Sequence, residues 1–259
     1  MAMPLRKETS RRFVGLGSNP QARFRLFCFP FAGGAAAAFR EWRFAQGDDL
    51  EVVAVELPGR QKRVNEQPLR QMSLLVKDVM EELPLDKPFA MFGHSMGALL
   101  SFELARALAN SKAYPSHLFV SSFRAPQLPQ RTRMKHLLPE DELVEEIKRM
   151  EGTPQELLEH PEALEMMLQL LRADLAVVEA YSYTDGLPLT CPMTAFGGKE
   201  DDDVSEEELE QWDVHTTERF RLQMMPGNHF YLYGAREQIL NSIRDDLGLT
   251  ARRRLTVSQ

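Results

Sequence analysis

Short apolar runs alternate along this chain with stretches in which apolar residues recur at three- and four-residue intervals. Phe24–Phe29, Val52–Leu57, Phe89–Phe92, Leu118–Ser121, Pro192–Phe196 and Phe220–Met224 are rich in β-branched or aromatic residues and bounded by proline, glycine or polar positions, which predicts strands. Helical spacing covers Met96–Ala109, Ser205–Trp212 and Ala235–Leu247. Such alternation is the signature of βαβ units. The expected class is α/β, a mostly parallel sheet flanked by helices.

One interval breaks the pattern. From about Arg124 to Tyr183 there is no strand signal, only helical spacing punctuated by proline. Thr153-Pro154-Gln155-Glu156 has the form of a capping box, with Thr153 as N-cap, Pro154 at the first helical position and Glu156 at the third. Leu164, Met167, Leu168, Leu171, Leu175 and Val178 follow at helical spacing, and Met166 and Leu170 widen the apolar face. Both a helix packed on the sheet and a helical lid over an apolar pocket fit this pattern. No repeat or Pro/Ser-rich linker divides the chain. The expected organisation is one domain over residues 1–259, with a helical lid insertion at about 124–185 and flexible tails at 1–11 and 249–259.

Composition narrows the function classes. The 259 residues are 43% hydrophobic and 27% charged, ordinary for a globular protein with a full core. A formal net charge of −7 disfavours non-specific binding to nucleic acid or anionic membranes, both polyanions. No apolar stretch approaches the roughly 18–20 residues that span a bilayer. Near the N-terminus, the apolar part from Phe13 to Leu16 is too short for a signal peptide. Cys28 and Cys191 lie in runs that read as buried strands. They form neither a disulfide framework nor a zinc-binding spacing, so no metal site and a cytoplasmic location are expected.

The strongest chemical signal is Gly93-His94-Ser95-Met96-Gly97, a G-x-S-x-G pentapeptide between a predicted strand and a predicted helix. This is the nucleophile elbow of the α/β-hydrolase fold, in which a sharp turn exposes the serine. A serine hydroxyl needs a neighbouring base. His94, His117, His136, His160, His215 and His229 are available. Only His229 follows a late strand, in the loop Pro226-Gly227-Asn228-His229, and in this fold the base comes last in chain order. The acid should lie on the loop after the penultimate strand. There the run EDDDVSEEELE, with eight acids among eleven residues, begins at Glu200. Ser205-x-x-Glu208 is a capping box and most of these acids suit a helix N-terminus, so spacing leaves Asp201, Asp202 and Asp203 open for the inward role. An oxyanion hole needs backbone N–H donors. Met96, after the nucleophile, supplies one, and the loop Phe29-Pro30-Phe31-Ala32-Gly33-Gly34 after the first strong strand suits the second.

With these residues in view, the sequence resembles the type II thioesterases that accompany polyketide and nonribosomal peptide synthases, and the related medium-chain fatty acyl thioesterases. The resemblance runs from about Arg12 to Ile243. It rests on CFPFAGG (28–34), ELPGRQKR (56–63), FGHSMGALLSFELA (92–105), SFRAPQLP (122–129), GTPQELL (152–158), LLRADLAVVEAY (170–181), FGGKED (196–201) and PGNHFYL (226–232). It implies Ser95 as nucleophile, His229 as base, Asp201 as acid, and the backbone of Ala32 and Met96 as oxyanion donors. Phe31 stands where the family often has Tyr or His, and Asp201-Asp202 where it often has Asp-Pro. Gly59 and Arg60 match a family signature and read as structural.

The substrate implied is an acyl thioester on the phosphopantetheine arm of an acyl or peptidyl carrier protein. The enzyme itself then binds no cofactor. A carboxylesterase or lipase acting on small oxygen esters could use the same triad, and a non-catalytic carrier-binding subunit could keep the fold. A dehydrogenase is excluded by the lack of GxGxxG after the first strand. Arg124, Arg131, Arg133 and Lys135, with no acid among them, form a candidate docking patch for an acidic carrier protein in an otherwise anionic chain.

Overall fold

The computed structural model describes residues 10–17, 19, 21–45, 49–109, 111–131, 133–149 and 160–249. The expected capping box at Thr153–Glu156 and most of both expected tails lie outside them. Seven strands form one sheet: β1 (Phe13–Gly15), β2 (Phe24–Phe29), β3 (Leu50–Val55), β4 (Phe89–His94), β5 (Leu118–Ser121), β6 (Met193–Gly198) and β7 (Phe220–Met225). Their order is β1-β3-β2-β4-β5-β6-β7, with β1 antiparallel and every other pair parallel.

The central strands read from sequence as continuous apolar runs because helices cover both faces of the sheet. On one face pack α1 (Met72–Met80) and α2 (Met96–Ala109), through residues such as Leu75, Val79, Leu99 and Phe102. On the other lie the 3-10 segment Ala36–Ala45 and α7 (Arg236–Asp246), through Phe39, Trp42, Ile239 and Ile243. The chain leaves β2 toward one edge and returns through β4 toward the other. The loops after β2 and β4 therefore meet at the switch point where α/β sheets bind ligands.

The structure corrects the expected elements in several places. β3 begins two residues before the expected Val52, because Glu51 pairs in register with Arg25 and their side chains form an ion pair at 2.9 Å. That partner makes a polar residue fit inside the sheet. β1 is too short to show a period, and its ladder to β3 (Phe13↔Val55) is a tertiary contact. α1 was not anticipated because no side-chain cap marks its start at Gln71. The expected helix from Ser205 to Trp212 is a short α5 (Glu206–Glu210), capped reciprocally by Ser205 and Glu208, followed by a 3-10 turn over Gln211–His215. Cys28 lies in β2 as expected. Cys191 is buried but precedes β6, and both thiols are free.

Between β5 and β6 the chain forms a 3-10 turn (Lys135–Leu137), α3 (Glu140–Arg149) and α4 (Pro161–Glu179), with α6 (Tyr231–Gly234) and α7 following β7. Leu143, Ile147 and Leu168 form a small apolar cluster separate from the two sheet cores. Pro161 stands at the start of α4, where its missing N–H costs nothing. No helix among the described residues is long and apolar enough to cross a membrane.

Glu56, fully buried just beyond β3, accepts the Ala36 N–H at 3.4 Å. Burial pushes its carboxyl up to about 7, against the pull of that N–H, Arg60 and Arg63. An unfolded-chain glutamate titrates near ~4.3. The folded state holds the proton more tightly, so this stability is complete below ~4.3 and lost as pH rises through about 7. Glu56→Gln should lack that decline. Thermal melts should show the variant gaining on the wild type between about pH 5 and about pH 8, and a difference flat with pH would refute the protonated Glu56.

Candidate active site

Ser95 is the single residue between β4 and α2, and it holds the left-handed φ of +52°. Crowding enforces this. A Cβ on Gly93 would stand 2.1 Å from the Gly97 carbonyl oxygen, and one on Gly97 would stand 2.2 Å from that of Phe29. No side chain fits at either position. The Ser95 N–H donates to the Ser121 carbonyl at 2.7 Å, and the Ser95 carbonyl accepts the Ala98 N–H at 2.8 Å. From Phe89 to Phe102, Ser95 alone is not buried. Met96 opens α2, so its N–H has no intrahelical acceptor and lies at the positive end of the helix dipole.

The loops after β6 and β7 are stitched together. The Lys199 N–H reaches the Met225 carbonyl at 2.8 Å and the Glu200 N–H reaches that of Gly227 at 3.1 Å. A Cβ on Gly198 would lie 2.5 Å from the carbonyl oxygens of Gly227 and Asn228, so the loops can only approach over a glycine. This contact brings His229 Nδ1 to 2.9 Å from Asp201 Oδ2. The Asp201 carboxylate is wholly enclosed, whereas Asp202 is exposed and Asp203 turns its N–H back to Asp201 Oδ1 at 2.9 Å. Burial pushes the Asp201 carboxyl up, but His229 and the Asp203 N–H outweigh it and hold it below the usual range. Asp201, Asp203 and His229 offer donor atoms within 4.8 Å of one another. The bonds among Asp201, His229 and the Asp203 N–H suit holding a proton on imidazole better than caging an ion.

His229 Nε2 makes no hydrogen bond among the described residues, and His229 lines the same cavity as Ser95. The cavity holds about 410 Å³ and is walled by Phe31–Ala35 from the loop after β2, by Leu143 and Ile147 of α3, and by Met167, Leu171, Leu175 and Val178 of α4. The other histidines are engaged elsewhere or stand away from this cavity. His94 is buried on Ser121 at 2.8 Å, and burial together with the neighbouring His229 holds it down to about 3. His117 bonds Thr194, His136 contacts Glu179, His215 bonds Gln127, and His160 precedes α4.

Ala32 lines the cavity beside Gly33 and Gly34. Phe31 packs edge-on against Phe230 at 4.9 Å and His94 at 5.9 Å. The basic stretch does not stand free. Arg124 and Arg131 both pair with Glu208, and Arg133 and Lys135 both pair with Glu146. Four cations thus share two carboxylates, so the charge is offset only in part. Lys135 and Glu146 also reach the cavity wall, a position that spacing did not reveal because it depends on how α3 folds back.

A serine on a strained strand-to-helix turn at the switch point of a parallel sheet, with an aspartate-held histidine lining the same cavity, defines an α/β-hydrolase. The model of the thioesterase domain family matches residues 24–247. The gramicidin S biosynthesis protein GrsT of Aneurinibacillus migulanus is 41% identical over 245 residues, 93% of this chain and 96% of its own. The medium-chain S-acyl fatty acid synthase thioesterase of Homo sapiens is 37% identical over 243 residues, 88% of each chain. The solved type II thioesterase BorB of the borrelidin biosynthetic cluster is similar with a TM-score of 0.86 at 34% identity, covering 93% of this chain and 100% of its own. The chain belongs to the thioesterase family. It is an acyl thioesterase of type II kind, a serine hydrolase of the α/β-hydrolase fold.

Asp201→Asn should lower kcat on the order of 10⁴-fold, the cost of a wrongly held imidazole in a serine protease triad. Asp202→Asn and Asp203→Asn should be mild. Steady-state hydrolysis of one thioester by all three variants decides, and a sensitive Asp202 would put the acid one residue further on.

Proposed function

We propose that this enzyme hydrolyses acyl groups from the phosphopantetheine thioester of an acyl or peptidyl carrier protein in polyketide, nonribosomal peptide or fatty acid synthesis, with Ser95, His229 and Asp201 as its triad. The observation that carries the reading is the apolar cavity of about 410 Å³ that meets both Ser95 and His229. An acyl chain can lie among Leu143, Ile147 and Leu171 with its carbonyl at the serine. The involvement of GrsT in gramicidin S synthesis and of BorB in the borrelidin cluster supports a carrier-bound substrate. Two free, buried cysteines fit a reducing, cytoplasmic setting.

In the first half-reaction Ser95 Oγ attacks the thioester carbonyl while His229 Nε2 takes its proton. The N–H groups of Ala32 and Met96 receive the oxyanion, and Asp201 holds the imidazolium. Collapse breaks the C–S bond, and His229 returns the proton to the leaving phosphopantetheine thiolate. Water then gives a proton to His229 and attacks the acyl-enzyme, and Ser95 departs with that proton as the free acid leaves. Phosphopantetheine belongs to the substrate, so the enzyme needs no cofactor of its own.

Carrier proteins loaded with different acyl groups, followed by mass, test the substrate class: loss of the acyl mass with wild type and not with Ser95→Ala is expected. His229→Ala should be comparably damaging, because triad members act as a unit. Near wild-type turnover by either variant would remove the mechanism. A preference for an oxygen ester over the thioester of the same acid would point to an esterase instead.

The docking role of Arg124, Arg131, Arg133 and Lys135 is part of the same proposal. An acidic carrier would have to exchange with Glu208 and Glu146 for these cations. Arg131→Glu with Arg133→Glu should raise KM for an acyl-carrier protein several-fold and leave hydrolysis of a short N-acetylcysteamine thioester little changed. Equal losses on both substrates would assign these arginines to supporting the acid loop and the cavity wall.

A further inference from the structure

The loop expected to supply Ala32 is a four-residue turn closed by the Gly34 N–H on the Phe31 carbonyl at 2.8 Å, with Gly33 at φ +75°. A positive φ at the third position marks a type II turn. Turns of types I and II differ by a flip of the central peptide, here the one joining Ala32 to Gly33. One contact selects between them. Asp174 Oδ2, on α4, accepts the Gly33 N–H at 2.7 Å. After a flip, the same carboxylate would face the Ala32 carbonyl oxygen and repel it.

Asp174 is itself held. Arg60 donates to Oδ1 at 2.8 Å and Oδ2 at 3.0 Å, and its remaining bonds run to the carbonyls of Gly34 at 2.7 Å and Pro58 at 3.3 Å. Both side chains are all but inaccessible, 1% exposed for Asp174 and 4% for Arg60. Leu171, one turn earlier on α4 and a wall of the acyl cavity, would sit 3.4 Å from a Cβ on Gly33. The acyl wall and the clamp on the turn therefore belong to one stretch of one helix.

We propose that Asp174, clamped by Arg60, is a positioning residue that fixes the oxyanion loop in the turn state from which the Ala32 N–H can meet the developing negative charge. A buried ion pair is weak evidence for stabilisation, since desolvation offsets much of its attraction. What this one delivers is geometry at a donor whose placement matters most in the transition state. The inference rests on the reading of Ser95 as nucleophile and Ala32 as donor.

The test uses the full-length enzyme, an octanoyl N-acetylcysteamine thioester, and an alkyl trifluoromethyl ketone. Ser95 Oγ adds to the ketone carbon, its proton passes to His229, and the ketone oxygen becomes an oxyanion in the hole. Wild-type turnover and its loss in Ser95→Ala are measured first. Failure there would sink the underlying reading and not the role of Asp174. Asp174→Asn should then lower kcat on the order of 10²-fold, the scale for misplacing a catalytic group by about 1 Å, with KM within about twofold. Affinity for the ketone should fall by the same factor as kcat/KM. A second variant, Arg60→Met with Asp174→Leu, replaces the pair by hydrocarbon and should return Tm to near wild type. Its kcat should stay low, because leucine offers the Gly33 N–H no acceptor. This variant decides alone should Asp174→Asn fail to fold. The proposal is overturned if a folded Asp174→Asn keeps its kcat and ketone affinity, or if kcat recovers together with Tm in the double variant.

Discussion

Three backbone segments meet at the turn around Ser95 with no room for a side chain between them. The Phe29 carbonyl closes on Gly97, and the Gly97 carbonyl closes on Gly93. Residue 95 must then adopt a conformation that costs a non-glycine residue on the order of 1–3 kcal/mol. The surrounding sheet over-determines it through the Ser95 N–H on Ser121 and the full burial of β4. Each other part of the site leaves the same sheet edge. The loop bearing Ala32 departs from β2 at Phe29, that bearing Asp201 from β6 and that bearing His229 from β7. With neighbouring strands about 4.8 Å apart, fixing the turn at β4 sets the distances available to all of them.

Electrostatics then separate two imidazoles whose rings lie 5.5 Å apart. His94 is enclosed, bonded to Ser121 and kept neutral by burial. His229 sits on a carboxylate held in its ionised form and leaves Nε2 toward the cavity. In the proposed reaction only the second imidazole gains a proton. The first packs as a core side chain and adds no competing charge. Phe31 and Phe230 pack hydrocarbon against both imidazole rings.

The helices between β5 and β6 share a cavity with Ser95 and His229 but have an apolar cluster of their own. Asp174 ties them to the Phe31–Gly34 turn by accepting the Gly33 N–H, and Arg60 holds Asp174. Two other acids of these helices are engaged within the chain, Glu146 by Arg133 and Lys135, and Glu179 by His136. This pairing offsets part of the charge of a stretch that reads as basic in sequence.

Local chemistry made much of this protein readable in advance. The apolar runs that became β2, β5 and β7, the elbow around Ser95 and the loop bearing His229 depend on neighbours in sequence, on period, on glycine and on chain order. Elements held by distant partners were not readable: β1 exists by its ladder to β3, and the start of β3 by the Arg25–Glu51 pair. Among the three aspartates, spacing could not choose, because all are local candidates for a helix start. Only the approach of the β6 and β7 loops over Gly198 turns Asp201 inward and leaves Asp202 in solvent. Arg60 and Asp174 are the sharpest case. They stand 114 residues apart, one in a motif that reads as structural and the other on an apolar helix, and they meet only once α4 folds onto the oxyanion loop. A sequence encodes periodicity and turn chemistry directly, but a buried charge declares its purpose only when the fold supplies its partner.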